Sequence, residues 1–112
     1  MLLFKKEFFE AIRAGRKVTT VRRWARPRVT GGGRAFCPGL GWLAIETVEP
    51  ITLDQLDDGD AVADGFADRA ALLAALTAIY PADDPSEASR AWFRVRFRTE
   101  QRTYAVDRPS SS

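Results

Sequence analysis

Gly15-Arg16-Lys17-Val18-Thr19-Thr20-Val21-Arg22-Arg23-Trp24 is the stretch from which the rest of the chain can be laid out. Gly15 closes a preceding helix, and the β-branched run Val18 to Val21 favours extended chain, so a predicted strand covers Val18 to Arg22. Alternation puts Val18, Thr20 and Arg22 on one side of that strand and Thr19 and Val21 on the other. A lysine, two threonines and two arginines therefore stand where a loop becomes a strand, a junction rigid enough to position chemistry and open enough to admit a ligand. Strict alternation would separate Lys17 from Thr20. The two can share a site only if Lys17 lies in the bend after Gly15, before the regular strand begins.

Upstream, Leu2 to Phe4 reads as a short strand, and Phe8, Phe9 and Ile12 recur at helical spacing through Lys5 to Ala14, with all three assigned to the core. Downstream, Arg23 to Gly33 is a basic loop made mobile by Gly31-Gly32-Gly33. Trp24 between Arg23 and Arg26 suits either a base-stacking edge or a lid folded onto the core. Strands follow at Arg34 to Cys37 and at Trp42 to Val48, the second ended by Pro50, with Leu43 and Ile45 on one face and Trp42, Ala44, Glu46 and Val48 on the other. Thr52-Leu53-Asp54-Gln55 has the form of a capping box. Asp57-Asp58-Gly59-Asp60 reads as an acidic turn, without the spacing and closing glutamate of a calcium loop.

Asp68 caps a helix over Arg69 to Tyr80 whose stripe is Leu72, Leu73, Leu76, Ile79 and Tyr80. After a polar connection over 82–89, Ala91 to Arg98 alternates Phe93, Val95 and Phe97 inward with Trp92, Arg94, Arg96 and Arg98 outward. Glu100-Gln101 turns into a last strand over Arg102 to Val106, and residues 107–112 are expected to be disordered. The fold class is α+β: a small β-barrel with flanking helices, one domain over residues 1–106, residues 17 to 22 beside the strand Ala91 to Phe97, and the helix Arg69 to Tyr80 outside.

Composition closes several routes. One cysteine and no histidine in 112 residues exclude an internal disulfide, His-based triads, the His-containing zinc sites and the zinc route of the nucleobase deaminases. No metal or other cofactor is expected. The N-terminus meets Lys5-Lys6 without an apolar leader and no run is long enough to span a bilayer, so a cytoplasmic protein without membrane association is expected. Charge is segregated: residues 1 to 36 carry ten Lys/Arg against two acids, and residues 45 to 90 carry eleven acids against two arginines. If the basic ends meet in the fold, one face suits a phosphate-bearing partner; otherwise these are solvated faces that keep the protein soluble.

Lys17-Val18-Thr19-Thr20-Val21-Arg22, Thr52-Leu53-Asp54-Gln55-Leu56, Asp60-Ala61-Val62-Ala63-Asp64-Gly65-Phe66 and Ile79-Tyr80-Pro81, in this order, resemble an ASCH domain of the PUA-like superfamily, from about Phe4 to Phe97. The Gly-x-Lys-x-x-Thr-x-Arg element is the most specific piece. The resemblance implies a twisted barrel with a cleft beside the Lys/Thr strand. One branch is similar to bacterial N4-acetylcytidine amidohydrolases, whose lysine, threonine and glutamate fall on Lys17, Thr20 and Asp64. Two departures stand out: Val18 where a threonine is usual, and Asp64 where that branch has Glu.

Hydrolysis of an acyl group from an exocyclic base amine needs a nucleophile, a group to take its proton, and one to protonate the departing nitrogen. Thr20, Lys17 and Asp64 can fill those roles, with burial and the neighbours Arg16 and Arg22 pushing the lysine toward its neutral form. Arg22, Arg23 and Trp24 are the candidate substrate contacts, and Arg22 could hold a ribose or phosphate or pair with Asp64. The competing reading is a non-catalytic RNA-binding module that binds single strands weakly and with salt dependence through Trp24, Trp92 and Arg94 to Arg98. Asp64 separates the two, since a carboxylate in the cleft repels phosphate.

Overall fold

The computed structural model describes residues 1–80 and 90–100. Four antiparallel strands, β1 (Thr19–Trp24), β2 (Arg34–Cys37), β3 (Gly41–Ile51) and β4 (Ala91–Thr99), form one sheet in the order β1-β4-β3-β2. The expected pairing of residues 17 to 22 with the last described strand is present, with Thr20 opposite Val95 and Arg22 opposite Phe93. The long β3 bends at a bulge between Ile45 and Thr47. A bulge adds a residue to one strand and increases local twist, and here it curls the sheet. It also shifts the alternation, so Val48 sits opposite Val95 and joins the Leu43 and Ile45 side rather than the outer face assigned to it.

Pro50 does not end β3. It lies within the strand opposite Phe93, because β2 reaches only to Ala44 and the other side of β3 is an edge where a missing N–H is tolerated.

The curled sheet is a half-barrel, in keeping with the small barrel-like fold expected. Its edge strands β1 and β2 do not pair. The gap between them is bridged by Leu2 to Phe4, which run extended without forming the expected strand. Leu2 N–H donates to Phe36 O, Arg22 Nη2 donates to Leu3 O at 2.6 Å, and Phe4 packs on Phe97 with ring centroids 5.2 Å apart. Leu2 is buried in the concave core with Trp24, Leu43, Ile45, Val95 and Phe97. Each such side chain contributes about 1.5–3 kcal/mol on burial. A 3₁₀ turn (Lys6–Phe8) leading into α1 (Phe9–Arg13) covers one end of this core through Ile12.

Asp57 caps a helix where the sequence reads as an acidic turn, α2 (Asp58–Ala63), through a reciprocal capping box with Asp60. The Thr52/Gln55 capping box is present and opens a 3₁₀ turn, Leu53–Gln55. Asp68 caps α3 (Arg69–Ile79). A second core of Val21, Leu56, Ala61, Leu72 and Leu76 packs α2 and α3 on the outer face of β1. Ile79, expected in this core, is 55% exposed. The buried stripe of α3 is the narrower Leu72 and Leu76 row, with Leu73 and Tyr80 at its margins. Among the described residues no helix is long and apolar enough to cross a membrane. The connection over 82–89, the strand over Arg102 to Val106 and the tail over 107–112 lie outside the described residues.

Candidate active site

Two helix ends deliver the site. α1 finishes in a paired-hydrogen-bond cap: Arg16 N–H donates to Ala11 O, Gly15 N–H donates to Ile12 O, and Gly15 has φ +79°. α2 finishes the same way, with Phe66 N–H to Ala61 O, Gly65 N–H to Val62 O, and Gly65 at φ +95°. Lys17 follows the first cap and Asp64 is the last residue before the second glycine. Val18 N–H donates to Ala63 O at 2.8 Å and ties the two ends together. Lys17 therefore lies in the bend ahead of β1, as its sharing a site with Thr20 requires.

Lys17 Nζ donates to Asp64 Oδ1 at 2.5 Å, Asp64 O at 2.6 Å and Thr19 O at 3.0 Å, which occupies all three protons of an ammonium. Both side chains of the pair are at most 5% exposed. The rings of Phe4, Phe8 and Phe66 stand 5.0–6.0 Å from Nζ and exclude water from it. A β-carbon on Gly65 would lie 3.5 Å from the Lys17 side chain, so the glycine closes that wall. Burial pushes the Lys17 ammonium below its ordinary range and the Asp64 carboxyl above its own, while their mutual attraction opposes both shifts. Asp64 Oδ2 is buried without a hydrogen-bond partner, and Asp64 lines the adjoining cavity. A carboxylate that deeply buried is half satisfied.

Thr20 and Arg22 form a second pair on the concave side of β1. Arg22 Nε donates to Thr20 Oγ1 at 3.0 Å, and the guanidinium lies 4.9 Å from the centre of the Phe4 ring. Burial also holds the Arg22 guanidinium below its usual range. Arg22 makes this bond rather than a direct one with Asp64, and no hydrogen bond joins Lys17 to Thr20 among the described residues. Both pairs line one cavity of about 350 Å³, walled by Leu3, Phe4 and Phe8 on one side and by Leu76, Ile79 and Tyr80 on the other. That volume lies within the range of small-molecule sites.

Arg23 and Trp24 are not brought to the cavity. Alternation turns Arg23 to the convex face, where its guanidinium lies 5.4 Å from the centre of the Trp92 ring. Trp24 points inward but is buried against Phe93 with centroids 6.0 Å apart, which settles its two readings in favour of the core. Two of the three outward arginines of β4 are engaged, Arg94 with Glu49 and Asp60 and Arg98 with Glu46, while Arg96 is exposed. The aromatic walls Phe4, Phe8, Phe66 and Tyr80 are site residues that sequence reasoning does not find. The spacing of Phe8 from Ile12 assigns it to the core and carries no sign of the lysine it faces.

No family model matches the chain, and no curated protein or solved structure matches it either.

Proposed function

We propose that the protein is a metal-independent amidohydrolase of the ASCH type that removes the acyl group from the exocyclic amine of an N4-acylcytidine-like nucleoside. The observation that carries this reading is the opening of the buried pair Lys17–Asp64 and the part-buried pair Thr20–Arg22 into one aromatic-lined cavity. A planar base suits the phenylalanine walls, and the polar pairs supply the acid, base and nucleophile that amide hydrolysis needs.

The steps balance on these residues. One proton passes from Nζ to Oδ1 across the 2.5 Å contact, leaving a neutral amine and a carboxylic acid. Thr20 Oγ attacks the acyl carbonyl, and its proton goes to Nζ as Lys17 turns toward it. The oxyanion forms beside Arg22, whose guanidinium stabilises it. The C–N bond breaks, Asp64 protonates the departing N4 amine, and an acyl-threonine ester remains. Water then attacks the ester, giving a proton to the Asp64 carboxylate, while Lys17 returns to Thr20 Oγ the proton it took. The Asp64 proton passes back from Oδ1 to Nζ, which restores the starting ion pair, and the acid leaves.

The non-catalytic RNA-binding alternative draws less support from β4, because Arg94 and Arg98 are paired with acids. Incubating purified protein with N4-acetylcytidine and measuring acetate tests the reading. Turnover is expected in the wild type and is lost in Lys17→Ala, Thr20→Ala and Asp64→Asn. Absence of wild-type turnover, or full activity in both Thr20→Ala and Asp64→Asn, would overturn it.

A further inference from the structure

Two exposed aliphatic side chains, Leu3 at 56% and Ile79 at 55%, line the same cavity. They stand on its opposite walls, Leu3 beside Phe4 and Phe8, and Ile79 beside Leu76 and Tyr80. A single exposed aliphatic residue needs no explanation. Two that meet at one cavity form apolar surface that a bound ligand can cover.

The Ile79 wall is one side of α3, where Leu72, Ala75, Leu76, Ala78 and Ile79 line the cavity in succession. Their spacing of three and four residues makes them a single helix face, about 10 Å long from Leu72 to Ile79 at the helical rise. Leu72 and Leu76 are buried and form its floor, whereas Ala78 and Ile79 are exposed and reach the mouth. The charged side chains of the lining all stand on other elements. Alanine at 75 and 78 leaves width along the face that a longer side chain would fill.

Asp64 Oδ2 gives the cavity a direction. Among the described residues it is a buried acceptor without a hydrogen-bond partner, so an N–H brought by a ligand satisfies it. With the N4–H of an acylated base on Oδ2 and the base on the phenylalanine wall, the acyl chain is left the α3 wall. An acetyl methyl covers only a small part of a face of that length and leaves Leu3 and Ile79 in water.

We propose that this face of α3 selects the acyl group, and that the substrate carries a straight chain of four or five carbons in place of acetyl. The identity of the head group rests on the amidohydrolase reading. The preference for a longer chain rests on the apolar face, with Ala75, Ala78 and Ile79 determining specificity.

Isothermal titration of Thr20→Ala with N4-acetyl-, N4-propionyl-, N4-butyryl- and N4-pentanoylcytidine reads binding without turnover. Burying one methylene is worth about 0.8 kcal/mol, so Kd should fall about fourfold for each one added, and about fifteenfold from acetyl to butyryl. Wild-type kcat/KM should climb by the same steps, which keeps the test intact should Thr20→Ala lose its fold. In the same background Ala75→Leu, which fills the middle of the face, should cut the butyryl preference below threefold. Ile79→Ser, at an exposed position, should make pentanoyl bind no tighter than butyryl. The inference is overturned if acetyl binds as tightly as butyryl, if these preferences are unchanged in either variant, or if none of the four ligands binds. Tighter binding of longer chains without acid release from any of them in wild type would refute the catalytic reading and leave the acyl face standing. Wild-type turnover that is fastest with acetyl would do the reverse.

Discussion

Lys17 Nζ and Asp64 Oδ1 lie 2.5 Å apart with both side chains buried, although the two residues come from different helix ends. A buried ion pair of this kind adds little net stability, because desolvation offsets attraction, but removing one partner leaves an uncompensated charge.

Lys17→Met is therefore expected to destabilise the fold by about 3–5 kcal/mol at neutral pH, and Lys17→Met/Asp64→Leu to recover most of that loss. Urea unfolding of the two variants and wild type measures it. A double variant as unstable as the single would show that Lys17 contributes chiefly by packing.

The stability of Lys17→Met should also depend on pH with a defined sign. In wild type burial raises the Asp64 pKa above its ordinary 3.8 and Lys17 opposes the rise, so without Lys17 the carboxyl moves higher still. The folded state then binds more protons than the unfolded one between 3.8 and the raised value. Stability is greatest below the unfolded pKa and falls as pH rises through the folded one. Thermal unfolding of Lys17→Met from pH 3.5 upward should show a falling melting temperature, and the Lys17→Met/Asp64→Leu variant should lack this component.

Asp64→Glu distinguishes an adapted site from a degraded one. The Asp64 side chain is 5% exposed and already touches Nζ, so an added methylene pushes the carboxylate off that contact toward the adjoining cavity. Forcing a buried group out of its fit costs typically about 1–3 kcal/mol. The variant is expected to lose stability and to hydrolyse N4-acetylcytidine more slowly than wild type. Faster turnover would mean that the shorter acid is a defect in this chain.

Gly65→Ala should act on the Lys17 stem while leaving the charged and hydroxyl groups of both polar pairs in place. At φ +95° the new side chain is strained, and its β-carbon meets the lysine stem. The expected cost is more than about 1 kcal/mol, with a fall in turnover larger than that in Gly15→Ala. Gly15 has φ +79° but nothing within 4 Å of an added β-carbon, so it carries the backbone strain alone.

The sequence discloses those parts of the fold that depend on local chemistry. Arg34 to Cys37 is a strand with the predicted bounds, Asp68 caps α3, and Phe93, Val95 and Phe97 point inward. The hidden helix α2 is also written locally. Asp57 and Asp60 are spaced as N-cap and third residue, but the intervening Gly59 makes the stretch read as a turn. Other features need tertiary information. Pro50 is tolerated because β2 stops short, and the bulge that moves Val48 inward has no local signature. Trp24 among arginines cannot declare its face until Phe93 is opposite Arg22. At the site, Lys17, Thr20 and Asp64 follow from a resemblance and do line one cavity, while the phenylalanines around Nζ come from three separate segments.

Among the described residues β1 has one strand neighbour, β4, the last strand described: Thr19 pairs with Arg96 and Trp24 with Ala91. Such pairing has high contact order and must meet a large loop-closure entropy before any ladder bond forms. On a ribosome the Lys/Thr strand is made early and has no partner until almost the whole domain has emerged. The hairpin of β2 and β3 can form in the meantime, whereas the cavity cannot exist in any shorter nascent chain. Truncation ahead of β4 should consequently abolish the site as a unit rather than weaken it by degrees, and an unpaired, β-branched β1 is the segment most exposed to aggregation during synthesis.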